Sequence, residues 1–160
     1  MTPRVILAKH EGGHLPVLVD EADYARLNKY SWRVNSDGYA LRTSYNTVLM
    51  HREVLNVLGG PEMVDHINTD KLDNRSSNLR CCTKAENNCN LRVRSSNRTG
   101  YKGVFKMPHL KTNPYRASIT HRKRTHFLGY FPTAEQASDA YDAAATLYHG
   151  AFAYLNRSPT

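Results

Sequence analysis

The apolar and polar positions of the first 60 residues predict short strands with little helix. Residues 4–19 favour strand, and Gly12-Gly13 and Pro16 interrupt them. Asp20 is placed to cap a short helix over residues 21–29. The inward side chains of that helix are predicted to be Ala22, Ala25 and Leu27. The pattern then predicts strands at residues 32–34, 39–42 and 48–51, a hairpin turn at 36–38, and one or two helical turns at 52–58.

Two short apolar segments flank a polar loop in the next part of the chain. Strands are predicted at residues 63–67 and 78–82, and the loop between them is rich in Asn, Asp and Ser. Thr83 and Glu86 have the spacing of a capping box, which predicts that a helix begins there. A strand, loop, strand and helix within about 30 residues cannot enclose a large core. This unit therefore needs neighbouring structure or a metal to hold it together.

The last third of the chain has a clearer pattern. Strands are predicted at residues 101–107, 115–121 and 125–131, followed by a helix that Thr133 caps and Gly150 ends. Mostly small residues recur along this helix at steps of three and four and form one stripe. These residues are Ala134, Ala137, Tyr141, Ala144, Ala145 and Tyr148. A three-stranded antiparallel sheet packed on one helix is the expected result.

The pattern as a whole predicts an α+β protein with two units. Residues 1–90 form the first, in which a β-rich extension precedes the strand-loop-strand-helix core at about 63–90. Residues 91–98 are basic, polar and aperiodic, as in a linker, and residues 99–156 form the second unit.

The composition of the chain indicates in which cellular compartment the protein is expected. At 40% hydrophobic and 22% charged residues the chain is typical of globular proteins. No apolar run approaches the roughly 18 residues of a membrane span, and the amino terminus lacks the apolar length of a signal peptide. We therefore expect a cytoplasmic protein with no membrane partner. Cys81, Cys82 and Cys89 do not have zinc-knuckle spacing and are expected to be reduced, partly buried thiols.

The net charge of +8 is concentrated in one stretch. Between Asn87 and Ala134 there is no acidic residue but there are ten basic ones, so the rest of the chain carries −2. A charge that served solubility alone would be scattered along the sequence. A continuous basic stretch favours a polyanionic partner over a solvated face.

Asp65-His66 is the pair of residues best suited to chemistry on such a partner. Hydrolysis of a phosphodiester needs a base that activates water and a cation that offsets charge on the phosphorane and on the leaving 3′ oxygen. Adjacent side chains of a strand point to opposite faces, so another element must complete the site. Asn87, in the following helix, could supply an amide oxygen. A carboxylate with an amide oxygen suits a hard cation such as magnesium.

The segment VDHINTDKLDNRSSNLRCCTKAENN, residues 64–88, resembles the HNH nuclease motif in the His-Asn-Asn form of phage homing endonucleases. The resemblance implies a ββα-metal core with one divalent cation, magnesium or alternatively manganese. It implies that Asp65 and Asn87 are metal ligands, that His66 is the general base, and that Asn78 braces the hairpin and orients His66. The similarity begins upstream, so His51 is a possible accessory residue.

Two features of the loop after His66 carry separate expectations. Thr69 stands where family members often have glycine, and a β-branched residue would be strained there if the loop requires a positive φ. Asp70, Asp73 and Asn74 could be further metal ligands. We prefer to interpret them as loop and Asx-turn residues.

The second unit resembles the APETALA2-type DNA-binding domain. The matching segments are Tyr101-Lys102-Gly103-Val104, Tyr115–Ile119, Leu128-Gly129-Tyr130-Phe131, residues 133–137, residues 140–144 and residues 150–156. The resemblance implies that three strands lie in the major groove of double-stranded DNA with the helix packed behind them. The plant recognition sequence cannot be carried over, because the residues at several reading positions differ. Phe105 and Phe127 are interpreted as aromatic residues of the sheet core rather than base-stacking groups.

The candidate DNA contacts are all basic. They are Arg92, Arg94 and Arg98 in the linker, with Lys102, Lys106, Arg116, Arg122 and Arg124 in the second unit. If about six of them meet phosphate, log affinity should fall with log salt at a slope of roughly −5.

These inferences predict a metal-dependent DNA endonuclease, site-preferring and homing-type, that acts as a monomer or dimer on DNA. Three alternatives remain open at this point: a DNA-binding regulator with an inactive nuclease fold, an RNA-processing nuclease, and a structural zinc protein.

Overall fold

The computed structural model describes residues 2–157. They form an α+β protein that divides into two compact units between Asn87 and Asn88. Among these residues, no helix has the length and apolar character of a membrane span.

The first unit is built on a five-stranded sheet with the order β2-β1-β3-β4-β5. Its strands are β1 (Arg4–His10), β2 (Gly13–Val19), β3 (Arg33–Val34), β4 (Ala40–Thr43) and β5 (Thr47–Leu49). All neighbours pair antiparallel except β1 and β3, which are parallel. The core behind this sheet is closed by Trp32, whose indole nitrogen donates to the Leu27 carbonyl at 2.8 Å.

Helix α1 (Glu21–Leu27) lies where the pattern predicts it, but two of its predicted details are wrong. Ala22 and Ala25 are exposed, and only Leu27 of the three predicted inward residues is buried. Asp20 occupies the N-cap position without a side-chain capping bond. Its carboxylate instead accepts bonds from the backbone nitrogen and hydroxyl of Ser76, at 2.7 and 2.6 Å. Ser76, which is distant in sequence, thus binds the Asp20 carboxylate in place of the first backbone amides of α1.

His51 lies in a helix and not in the predicted strand at residues 48–51. The strand ends at Leu49, and α2 (Met50–Val54) begins with the next residue. Met50 is fully buried and Val54 packs against the same core. Two core residues four positions apart lie on the same side of a helix, so a helical turn buries both of them. The predicted strand was only four residues long, and over so short a stretch the alternation of apolar and polar residues is not a reliable signal.

The predicted order of strand, loop, strand and helix is present. β6 (Met63–His66) pairs antiparallel with β7 (Leu79–Cys82), and α3 (Lys84–Cys89) follows. The capping box at its start is confirmed. The Glu86 carboxylate accepts from the Thr83 backbone nitrogen at 2.7 Å, and the Glu86 nitrogen donates to the Thr83 hydroxyl at 3.2 Å.

The second unit is the predicted antiparallel sheet on one helix. The sheet order is β10-β9-β8, formed by β8 (Val104–Lys106), β9 (Tyr115–His121) and β10 (Arg124–Phe131). Helix α4 (Ala134–His149) is capped by the Thr133 hydroxyl and ends at Gly150, as predicted. Its small residues Ala137, Ala144 and Ala145 are buried, so its backbone approaches the sheet closely.

The first strand of this sheet is shorter than predicted because of Gly103. Gly103 has a φ of +74°, and a Cβ there would lie 2.0 Å from the Tyr141 ring. The left-handed backbone at Gly103 interrupts the strand, so β8 begins at Val104 and not at Tyr101. The absence of a side chain at Gly103 makes room for the Tyr141 ring.

Candidate active site

His66 lies at the end of β6, with 4% of its surface exposed. Its ring contacts two other rings from the five-stranded part of the unit. The centroid of His51 is 5.2 Å away with the planes nearly perpendicular, and that of Tyr39 is 6.0 Å away. His51 and Tyr39 also contact each other, at 5.2 Å. The rings of His51 and Tyr39 together fix the orientation of the His66 imidazole.

Asn74 fixes the tautomer of His66. The Asn74 side-chain oxygen lies 3.4 Å from His66 Nε2, and its amide nitrogen is directed to the Lys71 carbonyl at 3.4 Å. The amide can serve both partners only if Nε2 carries the proton and donates it to the oxygen. In the neutral ring the lone pair is then on Nδ1. That nitrogen is the one able to accept a proton.

The loop that holds Asn74 is anchored to the β-rich extension. The Asn74 nitrogen donates to the Leu18 carbonyl, and the Leu18 nitrogen donates to the Leu72 carbonyl, each at 2.8 Å. β2 therefore supports the loop that orients His66. The extension is part of the site's architecture.

Both histidines of this cluster favour the neutral form. Burial lowers the pKa of His66, although the hydrogen bond that His66 donates to Asn74 and the nearby carboxylates of Asp65, Asp70 and Asp73 oppose the shift. Burial, with the charges of His66 and Arg52 adding to it, lowers the pKa of His51 to about 3. A base that is neutral at physiological pH can accept a proton from water.

His51 should make the first unit sensitive to acid. The unfolded chain binds a proton on His51 below about pH 6.5, whereas the folded chain does not until about pH 3. Stability is therefore lost as the pH falls through this window. Between pH 7 and 5 the free energy of unfolding should fall by about 2 kcal/mol on this account, and His51→Phe should remove most of that fall. Urea unfolding followed by fluorescence of Trp32, the only tryptophan, measures it. An equal acid loss in both proteins would contradict the assignment.

Asp65 has different neighbours from His66, as adjacent strand positions require. Asp65 is 6% exposed and stands opposite Arg80 in the register of β6 and β7. The Arg80 guanidinium donates to its Oδ2 from Nη2 at 2.6 Å and from Nε at 2.9 Å. Two guanidinium nitrogens that share one carboxylate oxygen form a charge-assisted contact that orients the carboxylate.

Asn87 lies one turn into α3, where its nitrogen donates to the Thr83 carbonyl at 3.0 Å. The charges of both Asp65 and Glu86 raise the pKa of the Cys82 thiol beyond the effect of burial, which is the largest cause. Asp65 and Glu86 of α3 thus both act on Cys82.

Asn78 braces the loop between β6 and β7. Its amide nitrogen donates to the Asn68 side-chain oxygen at 2.9 Å and to the Asp73 carbonyl at 2.8 Å. Its oxygen accepts from the Asn68 backbone nitrogen at 3.0 Å. These bonds tie both ends of the loop together.

Asp70 and Asp73 behave largely as the loop residues they were interpreted to be. Asp70 accepts from the Leu72 nitrogen at 2.9 Å, an Asx turn. Asp73 is 2% exposed and bound by the Arg75 guanidinium at 2.6 and 2.7 Å, which holds its pKa below the usual value. Asn74 goes beyond that interpretation, because it contacts His66.

Thr69 has a φ of +63°, so the strain expected of a β-branched residue is present. Left-handed backbone costs a residue with a Cβ about 1–2 kcal/mol. Thr69→Gly should therefore raise the free energy of unfolding by about 0.5–1 kcal/mol, since glycine's greater freedom in the unfolded chain offsets part of the relief. Thr69→Ala keeps the Cβ and is the control, which should not stabilise. Urea unfolding followed through Trp32 compares them.

Most candidate DNA contacts are exposed, as such contacts must be. Arg92, Arg94, Arg98, Lys106, Arg122 and Arg124 are exposed, and Arg116 is half-buried. Lys102 is engaged within its own unit. Its ammonium donates to the carbonyls of Cys89 and Leu91 at 2.7 and 2.8 Å, and burial lowers its pKa to about 8. Lys102 holds the linker backbone, and a role toward DNA stays a prediction.

The interpretation of Phe105 and Phe127 as core aromatics is wrong. They are 51% and 54% exposed. The inner face of the sheet is already filled by Val104, Ala117 and Ile119 against α4. The phenylalanines occupy alternate positions and lie on the opposite face.

Comparison with known proteins identifies the class to which this site belongs. A family model described as HNH endonuclease matches residues 58–89, the segment that contains both strands of the site and α3. The chain is also 33% identical over 136 residues to an uncharacterized HNH endonuclease of Acanthamoeba polyphaga mimivirus. That alignment covers 82% of this chain and 69% of the viral protein. No solved structure matches the chain significantly.

The chain belongs to the HNH endonuclease family, and the predicted enzyme class, a DNA endonuclease, is confirmed. HNH nucleases generally use a divalent metal ion. The predicted endonuclease identity rested on residues 64–88, which lie inside the matched segment.

The sequence did not indicate Arg80 or Tyr39 as part of this site, and it indicated Asn74 only as a loop residue or a further metal ligand. Arg80 pairs with Asp65, Asn74 contacts His66, and Tyr39 packs against both histidines. Arg80 had a usable signal, because it stands opposite Asp65 once the two strands are paired. The approach of Asn74 and Tyr39 depends on tertiary folding, which local sequence does not report.

Proposed function

We propose that this protein is a metal-dependent, site-preferring DNA endonuclease of the homing type, with His66 as its general base. The observation that carries the proposal is the state of His66: a neutral ring with Nε2 committed to Asn74 and Nδ1 as the basic nitrogen. In hydrolysis, Nδ1 takes a proton from water as the water oxygen bonds to phosphorus. The bond from phosphorus to the 3′ oxygen breaks, the 3′ oxygen takes a proton from solvent to become a hydroxyl, and the phosphate stays on the 5′ side.

Asp65 and Asn87 have the side-chain chemistry to hold one hard divalent cation. Asp65 offers a carboxylate and Asn87 an amide oxygen, the donor types that magnesium and manganese accept. No group of three or more His, Cys, Asp or Glu side chains suited to a metal lies together within residues 2–157. Two protein ligands with water and substrate phosphate is the usual arrangement for magnesium. When bound, the cation would offset charge on the phosphate in the transition state.

Arg80 would then have two tasks on this proposal. In the free protein its guanidinium neutralises the Asp65 carboxylate. When Asp65 ligates a cation, Arg80 remains beside the phosphate as a second positive group. Arginine is suited to this because its planar fork binds phosphate in a bidentate manner.

The second unit would supply affinity for double-stranded DNA in the manner that its APETALA2 resemblance implies. Its strands bear the basic side chains, and its helix bears Glu135, Asp139 and Asp142, which phosphate would repel. The distribution of charge therefore indicates that the sheet and its turns face the DNA.

The turn between β9 and β10 supports this orientation. His121 pairs with Arg124, so the two-residue turn consists of Arg122 and Lys123, with φ of +48° and +64°. Two positive φ values are the requirement of a type I′ turn, in which Asn-Gly is favoured. Basic residues at strained positions favour a role for their charge.

Replacement of this turn by Asn-Gly should lower the affinity for DNA and raise the stability of the second unit. Arg122→Asn with Lys123→Gly should raise the free energy of unfolding by roughly 1–2 kcal/mol. The same change should make the slope of log affinity against log salt less steep by about 2, since two phosphate contacts are removed. Thermal unfolding and gel-shift titrations at several salt concentrations measure both. An unchanged salt slope would show that the turn does not meet phosphate.

Substrate and metal are tested together on nucleic acid of one sequence. A kilobase duplex DNA and its RNA transcript are incubated with the protein in magnesium, in manganese and in EDTA, and the ends are mapped. The proposal expects DNA cut at discrete positions with either metal and not in EDTA. Preferential cutting of the RNA would favour the RNA-processing alternative, and scattered DNA ends would contradict site preference.

A further inference from the structure

The outer face of the second unit's sheet, away from α4, carries three exposed aromatic side chains around one arginine. Phe105 and Tyr130 stand on either side of Arg116 in the register of the three strands. Phe127 pairs with Ser118 one step along. We call Phe105, Arg116, Phe127 and Tyr130 the aromatic-arginine face.

A β-bulge creates this grouping. The register of β10 shifts between Phe127 and Gly129, so one extra residue is inserted against β9. Without it, Phe127 and Tyr130, three positions apart, would lie on opposite faces of the sheet. With it they share a face, and their ring centroids are 5.0 Å apart.

The three aromatic side chains of this face are about half exposed. Phe105, Phe127 and Tyr130 have 51%, 54% and 46% of their surface accessible. A cluster of exposed aromatic side chains on a flat face is typical of a surface that is covered by a ligand.

Arg116 is directed into this cluster. Its guanidinium carbon lies 5.8 Å from the centroid of Phe127. Its Nε is buried without a hydrogen-bond partner among residues 2–157. The ion pairs found among residues 2–157 do not include Arg116. A guanidinium outside any ion pair is suited to the O6 and N7 acceptors of guanine.

Phe127, in the middle of the cluster, is poorly placed for base stacking. One side of Phe127 already faces Arg116, and its other contact is with Tyr130 at an interplanar angle of 59°. Stacking requires a free ring face, whereas ring edges and partly covered faces suit small apolar groups. In the major groove the apolar group is the thymine methyl, which phenylalanine contacts.

We propose that the aromatic-arginine face reads double-stranded DNA in the major groove, with Arg116 donating to a guanine and Phe105 and Phe127 contacting the methyl groups of nearby thymines. This rests on the proposed DNA-binding function of the second unit and adds the chemistry that it recognises. The face selects thymine methyl groups beside guanine, and the basic residues around it bind phosphate without selection.

Uracil substitution tests the proposal, because uracil lacks the methyl group and keeps every hydrogen-bonding atom. The full chain carrying His66→Ala, which prevents cutting, is used to select binders from random 40-bp duplexes. The selected duplexes are then prepared with thymine or with uracil. Loss of two methyl contacts should weaken binding about tenfold. Phe105→Ala with Phe127→Ala should bind both forms equally, at the weaker affinity.

Two control variants separate recognition from damage to the fold. Leu147 is 78% exposed on α4, and Leu147→Ala should keep the full preference for thymine. Phe105→Leu with Phe127→Leu keeps apolar side chains and should retain part of it. Thermal unfolding of each variant establishes that the unit is folded.

Equal affinity of the parent for thymine and uracil duplexes would overturn the proposal, as would a preference that survives both alanine substitutions. Single-stranded DNA that outcompetes the selected duplexes would also overturn it in favour of base stacking. Cleavage by the wild-type protein is scored separately. Metal-dependent cutting without any thymine preference would therefore reject this inference and leave the nuclease function intact.

Discussion

His66→Ala is expected to reduce DNA cleavage about 10²–10⁴-fold, the contribution of a general base. The imidazole whose Nδ1 would accept the water proton is removed, while Asp65 and the basic side chains remain. DNA affinity should stay within about twofold, because affinity on this account comes from the second unit. Single-turnover cleavage of a duplex that carries a mapped cut site gives the rate. A gel shift of the same duplex in calcium or EDTA gives the affinity.

The control for this variant is another histidine of the same unit. His14 lies exposed on β2, and His14→Ala should leave both cleavage and binding unchanged. Because His66 is buried among rings, His66→Gln is included as a bulkier substitution that also lacks the base. Loss of binding together with cleavage in both His66 variants would show that His66 is structural.

Asn78→Ala should have the largest effect on stability. Asn78 is 7% exposed and its side chain makes three hydrogen bonds that close the loop after β6. Removing them leaves the carbonyl of the buried Asp73 unsatisfied and breaks both bonds to Asn68, at a cost of about 2–4 kcal/mol in the free energy of unfolding. Cleavage should fall as well, because the same loop holds Asn74 against His66. Urea unfolding followed through Trp32 and cleavage of the mapped duplex at 20 °C measure the two effects.

A matched asparagine separates this effect from general sensitivity to substitution. Asn46 is exposed in the turn between β4 and β5, and Asn46→Ala should change neither quantity measurably. Asn78→Asp keeps the accepting oxygen and loses both donations, so its stability should lie between those of wild type and Asn78→Ala. Wild-type stability in Asn78→Ala would mean that the loop is closed by other contacts.

Local signals predicted the elements that have local causes. The capping box at Thr83 and Glu86 and the cap at Thr133 act within one turn of helix, so four residues suffice to recognise them. The stripe on α4 was recognisable because sixteen residues give more than four turns of periodicity.

The wrong predictions concern positions whose structure is determined by residues distant in sequence. Asp20 binds Ser76, 56 positions away, and so does not cap α1 with its side chain. His51 enters a helix because the core takes Met50 and Val54. Phe105 and Phe127 were assigned to the core because they are aromatic, but the inner face of the sheet was already filled by other residues.

The candidate site divides in the same way. Asp65, His66, Asn78 and Asn87 belong to a motif of fixed spacing, so the sequence could indicate them together. Asn74 and Tyr39 reach His66 only through the packing of the loop and the β-rich extension. The tautomer of His66 follows from Asn74, and sequence alone could not assign it.

The most direct test of a DNA-cleaving centre at Asp65-His66 is the fate of supercoiled plasmid with wild-type protein and His66→Ala, each with and without magnesium. A single nick converts the plasmid to the open circle, so the measurement needs no knowledge of the target sequence. We expect open-circle or linear plasmid with wild-type protein in magnesium only, and supercoiled plasmid in the other three reactions. Plasmid that stays supercoiled with the wild-type protein in magnesium or manganese at every pH, or equal cutting by His66→Ala, would contradict it.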